Sequence, residues 1–156
     1  MSQLSERYLE EFAVGQTFGS GPLRVERERA FAFAGEFDPQ PFHLDEAAAL
    51  RSTFGELTVS GWYTAAVTMR LLIMTEINPA GGLVGAGIDE FRWPRPVHPG
   101  DELRVKCEVI EVRPSKSHPE QGLIKLRTTT LNQNDEPVLI YVVNMVVQRR
   151  KDILKK

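Results

Sequence analysis

Trp62-Tyr63-Thr64-Ala65-Ala66-Val67-Thr68-Met69-Arg70-Leu71-Leu72-Ile73-Met74-Thr75-Glu76-Ile77 is the stretch whose reading decides the fold. It is long enough for a helix of about four turns. Arg70 is its only charge before Glu76, so the helix has almost no polar face. A helix that is apolar all round is buried all round. In a chain of 156 residues, enough for one real core, the natural cover is a curved sheet wrapped about it. Asn78-Pro79-Ala80-Gly81-Gly82 then ends the helix sharply.

The sequence downstream supplies such a sheet. Residues 83–91 read as a strand, closed by Trp93-Pro94-Arg95-Pro96, which breaks pairing. His98-Pro99-Gly100-Asp101 is a turn. Leu103, Val105, Cys107 and Val109 alternate with Arg104, Lys106 and Glu108, the period-two signature of a half-buried strand. A polar loop over 114–121 leads to strands over 123–131 and 138–147, joined by a hairpin signal at 132–137. Strands in succession favour an antiparallel sheet, with the helices segregated earlier in the chain. The class is therefore α+β, although this pattern alone also allows other α+β layouts.

Upstream, residues 1–15 read as an irregular lead-in, with Tyr8, Leu9 and Phe12 docking onto the body. A first strand over 17–26 is interrupted at 19–22. A helix over 26–35 carries Ala30, Phe31, Phe33 and Ala34 on neighbouring turns and stops near Gly35. Asp45 is placed to cap a short helix over 46–51.

Composition fits one ordinary globular domain over 1–156, with 42% hydrophobic and 26% charged residues. A net charge of -2, with no basic stripe and interleaved aromatics, gives no footprint for nucleic acid. The short basic tail over 149–156 reads as a solvated terminus. The single cysteine, Cys107, excludes an internal disulfide and any multi-cysteine metal site, and its strand setting predicts a buried, inert thiol. Glu6, Glu10 and Glu11 interrupt any signal-peptide pattern, and nothing approaches the roughly 20 apolar residues of a bilayer span. A cytoplasmic setting is the expectation, with no membrane partner.

Phe37-Asp38-Pro39-Gln40-Pro41-Phe42-His43-Leu44-Asp45 is where polar chemistry gathers. Asp38 and Gln40 each precede a proline and are biased away from the helical region. The segment is expected to be a stiff turn or extended loop. Fully extended, five residues span roughly 16 Å. Asp38 and His43 therefore meet only if the segment curls, or if a second chain supplies one of them.

With its flanks, this loop resembles the MaoC-like dehydratases, a hotdog-fold family that includes the (R)-specific enoyl-CoA hydratases. The resemblance rests on Asp38, Pro39, Pro41, His43 and Gly61, and on the apolar helices either side of the motif. Ser60 departs from it, standing where the family usually has a histidine. The resemblance implies a long buried helix wrapped by a curved antiparallel sheet, a homodimer or higher homo-oligomer, and an acyl-CoA substrate. No metal and no cofactor beyond the substrate's own coenzyme A are implied.

Hydration of an enoyl thioester needs a base for water, a proton for C2 and donors for the thioester oxygen. Asp38 is the expected base and His43 its acid-base partner. The Gly61 backbone N–H, at the start of the long helix, is the expected oxyanion donor. Ser60, Pro41, Phe42 and Trp62 are expected at the substrate. Arg92, Arg95, Arg113 and Lys116 are candidates for the phosphates of coenzyme A, and Arg70 for a structural salt bridge. The glycine run 81–87 lacks G-x-G-x-x-G spacing, so it serves to bend a strand or to let an acyl chain pass. His98 and His118 read as surface residues. A hotdog thioesterase is the alternative enzyme, disfavoured because 62–75 holds no carboxylate. A non-catalytic acyl-CoA or lipid-binding protein is the other alternative.

Overall fold

The computed structural model describes residues 5–155. Five strands form one antiparallel sheet in the order β1-β3-β4-β5-β2. They are β1 (Thr17–Arg24), β2 (Val84–Arg92), β3 (Glu102–Pro114), β4 (Gln121–Leu131) and β5 (Pro137–Gln148). Burial alternates along β3 and β4, as the apolar-polar pattern requires. The register aligns Phe18, Cys107, Thr128 and Tyr141 as one row across β1, β3, β4 and β5. Cys107, Thr128 and Tyr141 in that row are buried.

Helix α4 (Gly61–Ile73) lies in the curve of this sheet. Thr64, Val67, Thr68, Leu71 and Leu72 form its buried face. Of these, Val67, Leu71 and Leu72 belong to one core with Val105, Val109, Ile124, Leu126 and Leu139. This is the hotdog arrangement that the sequence leads one to expect.

The stretch over 62–77 is corrected in two respects. The helix ends at Ile73, where Met74 caps it, and Thr75 Oγ1 bonds back to the Leu72 carbonyl. Nor is it buried all round: Met69 is 40% exposed and Ile73 63%. The sheet of one chain covers only one side of the helix, so its apolar outer stripe faces solvent. Arg70 lies on that exposed side with no ion pair among the described residues, so the expected salt bridge does not form.

The glycine run behaves as a bend. Gly81 and Gly82 take positive φ in the turn after the helix, and the β2–β5 register shifts between Gly85 and Gly87. Leu9 and Phe12 dock into the core as expected. The basic tail is not wholly solvated: Arg149 pairs with Glu10 at 3.1 Å, and Arg150 pairs with Glu11. No described helix is long and apolar enough to cross a membrane.

Candidate active site

The loop curls. Helix α1 (Arg27–Phe37) runs two residues past Gly35 and ends at Asp38, which leaves helical geometry at φ -148° and ψ 63° ahead of Pro39. Pro41 then opens a single helical turn, α2 (Pro41–Leu44), where its fixed φ fits and its missing N–H is no loss. Of the two forms expected of this segment, a stiff turn or an extended loop, the chain takes the turn, in helical form. That turn rotates His43 inward, leaving it 7% exposed. Asp45 closes it and caps α3 (Glu46–Leu50) by accepting from the N–H groups of Ala47 and Ala48.

The curl places His43 Nε2 3.4 Å from Asp38 Oδ2 within one chain. His43 Nδ1 lies 2.7 Å from the Thr58 carbonyl oxygen. A carbonyl only accepts, so Nδ1 carries a proton. In the neutral ring Nε2 is then an acceptor, facing a carboxylate that is also an acceptor. Two acceptors at this separation are best satisfied by a shared donor, and a water molecule can donate to both.

Two side chains donate to the Asp38 carboxylate. Ser60 Oγ donates to Oδ2 at 2.7 Å and Gln40 Nε2 to Oδ1 at 2.5 Å. Desolvation pushes the Asp38 carboxyl upward, but the Ser60 and Gln40 hydrogen bonds and the nearby His43 together outweigh it. The net result lies below the ordinary carboxylate value of 3.8.

Ser60 also accepts from the Trp62 N–H at 3.2 Å and so caps α4. One fully buried hydroxyl thereby ties the carboxylate to the helix N-terminus. The Gly61 N–H has no partner among the described residues, and Gly61 lines the same cavity as Asp38 and His43. Trp93 Nε1 donates to the Gly61 carbonyl at 3.0 Å. A Cβ on Gly61 would come within 2.8 Å of the Trp93 ring. Glycine is needed here for the indole as well as for any ligand.

Asp38, His43, Gly61 and Trp62 surround a cavity of about 300 Å³, with Phe54, Trp93 and Arg95 among its other walls. Three expected contact residues stand behind it. Ser60 spends its hydroxyl on Asp38, and Pro41 is exposed at the start of α2. Phe42 packs its ring edge-on to His43 at 4.5 Å, bracing the imidazole. Of the four candidate phosphate cations, Arg95 alone lines this cavity, and Arg113 and Lys116 line a different one. His98 bonds to Glu56 on the surface and His118 to Ser117. No described cluster of three or more His, Cys, Asp or Glu residues could hold a metal ion. Thr58, Gln40 and Trp93 escape sequence reasoning, because a carbonyl, an amide and an indole show their roles only when the chain is folded.

Residues 11–130 match the family described as MaoC like domain. The uncharacterized protein YdeM of Bacillus subtilis is 31% identical over 141 residues, 90% of this chain and 99% of YdeM. Among solved structures, the MaoC-like dehydratase from Rhodospirillum rubrum is 50% identical. That match covers 92% of this chain and 98% of the other, with a TM-score of 0.88. An (R)-hydratase from A. caviae is 26% identical, covering 90% of this chain and 99% of its own, with a TM-score of 0.68.

Proposed function

Because this chain belongs to the MaoC-like domain family, we propose that it is a hydro-lyase that adds water across the C2–C3 bond of an enoyl-CoA, or removes it from the (R)-3-hydroxyacyl thioester. The observation that carries the reading is the 3.4 Å approach of His43 Nε2 to Asp38 Oδ2 in one cavity beside the N-terminus of α4. The likeness to an (R)-hydratase over nearly the whole of both chains supports it. α4 itself contains no carboxylate, which speaks against a thioesterase of the kind that draws its base from this helix.

In this mechanism a water molecule donates to Asp38 and His43. As its oxygen bonds to C3, its proton passes to Asp38, the general base. Electron density moves from the C2–C3 bond onto the thioester oxygen, which the Gly61 N–H and the positive helix end stabilise. The proton crosses from Asp38 to His43 Nε2, and His43 delivers it to C2. Water has then been added, and both side chains are as they began. Ser60 and Gln40 position the carboxylate, while Thr58 holds the imidazole tautomer.

The working unit in this reading is a homodimer. Val84 and Ile88 on edge strand β2 are about half exposed, Ile88 lines one hollow with Met69 of α4, and a second copy would cover these residues.

The test is incubation with a panel of trans-2-enoyl-CoA esters starting from crotonyl-CoA, following loss of the enoyl absorbance and identifying the product. An (R)-3-hydroxyacyl-CoA is expected. Release of free coenzyme A without hydration would move the thioesterase reading ahead. Binding without turnover across the panel would favour a non-catalytic carrier.

A further inference from the structure

Among the described residues, Arg95 is the only Arg or Lys lining the cavity that holds Asp38 and His43. A hydrocarbon acyl group has no use for a guanidinium there. Pro94 and Pro96 flank Arg95 and fix its backbone. Its Nε lies 3.1 Å from Glu136 Oε2, and its Nη1 donates to the Pro137 carbonyl at 3.5 Å. Glu136 is itself shared, since its Oε1 accepts from Asn132 at 3.2 Å. Two of the five guanidinium N–H groups are therefore engaged, and three remain for a ligand. The side chain is held in place by the β4–β5 turn without being used up by it.

We propose that Arg95 binds a carboxylate carried on the acyl group, so that the substrate is the thioester of a short unsaturated dicarboxylic acid. This rests on the hydratase reading for the thioester itself. The place of Arg95 favours a carboxylate over a phosphate, because it lines the same cavity as Asp38, His43 and Gly61. About 300 Å³ must hold the reacting carbons, the thioester carbonyl and water. The pantetheine arm separates the phosphates of coenzyme A from the thioester by many bonds, so phosphates lie far from a thioester held beside Asp38 and His43. An anion that meets Arg95 within this cavity is therefore on the acyl side. Phe54, Trp62 and Trp93 in the remaining wall offer apolar surface to the acyl carbons. Arg95 is thus removed from the group of candidate phosphate ligands and becomes a specificity residue.

Titration calorimetry with succinyl-CoA and butyryl-CoA tests this apart from turnover. The two acyl groups have the same chain length and differ in a terminal carboxylate, and neither is an enoyl substrate. Wild-type protein is expected to bind succinyl-CoA at least about tenfold more tightly, the range of a charge-assisted hydrogen bond. In Arg95→Met the ratio is expected to fall to near one, and Arg95→Lys to retain part of it. Glu136→Gln removes the competing carboxylate while leaving Arg95 in place, and is expected to widen the ratio. Equal affinities in wild type, or a ratio that survives Arg95→Met, overturn the proposal. So does an Arg95→Met variant that weakens free coenzyme A as much as succinyl-CoA, because that is the signature of a phosphate contact. If the ratio holds while no enoyl thioester is hydrated, the carboxylate site stands and the hydratase reading falls. If crotonyl-CoA is hydrated without any such ratio, the reverse is true.

Discussion

Ser60 carries more than its position at a helix cap suggests. It donates to Asp38 and accepts from the Trp62 N–H, so its removal loosens both the carboxylate and α4. Ser60→Ala is expected to cost about 1 kcal/mol of stability, the usual loss for an N-cap. The sign of its effect on Asp38 follows from the lowered pKa. A lowered carboxyl contributes stability that is present above its unfolded value and lost as pH falls through the folded one. Without Ser60 the folded pKa rises, this contribution shrinks, and the acid limb of kcat/KM moves to higher pH. A pH–rate profile with an unmoved acid limb would refute the link. The contact with Asp38 was not legible in the sequence, because it joins residues 22 apart. Cys107 was fully legible from its place in an alternating strand. Burial pushes its thiol up to about 11. Native protein at pH 8 is therefore expected to resist alkylation, with one thiol appearing on denaturation, and rapid native labelling would contradict this burial.

Among the elements, α4 and the turn before it decide whether a site exists. The start of α4 was readable from Ser60-Gly61. Its early end was not, since Met74 and Ile77 keep a helical apolar spacing while Thr75 turns its hydroxyl back onto Leu72. The single turn α2 was hidden for a different reason. Four residues are too few for helical propensity to speak, and tertiary contacts such as His43 to the Thr58 carbonyl fix the turn. Gly61 illustrates how an element boundary can be set from elsewhere. Gly61→Ala is expected to lower stability by about 1–3 kcal/mol through overpacking against Trp93, and to reduce turnover as the backbone donor shifts. Adding Trp93→Ala is expected to return part of the stability. Thermal melts of the single and double variants check this, and an undisturbed Gly61→Ala protein would show that the Trp93 contact is not restrictive.

For the whole molecule, the alternation along β3 and the succession of strands after it made the antiparallel sheet legible, and one apolar helix made its curvature necessary. The reach of that sheet was not legible. One chain covers one side of α4, and the uncovered apolar residues are the physical case for a second copy. Ile73→Glu and Ile88→Glu, on residues 63% and 54% exposed, are expected to convert a dimer into a monomer by analytical ultracentrifugation with little loss of fold. A monomeric wild-type protein would remove that case.

The central claim is that Asp38 takes the proton of the attacking water. Its most direct test is the turnover of Asp38→Asn on the best enoyl-CoA of the panel, with near-native folding verified by circular dichroism. Loss of the general base predicts a fall in kcat of about 10²- to 10⁴-fold with the fold intact. A folded Asp38→Asn protein that turns over at close to the wild-type rate would contradict the account.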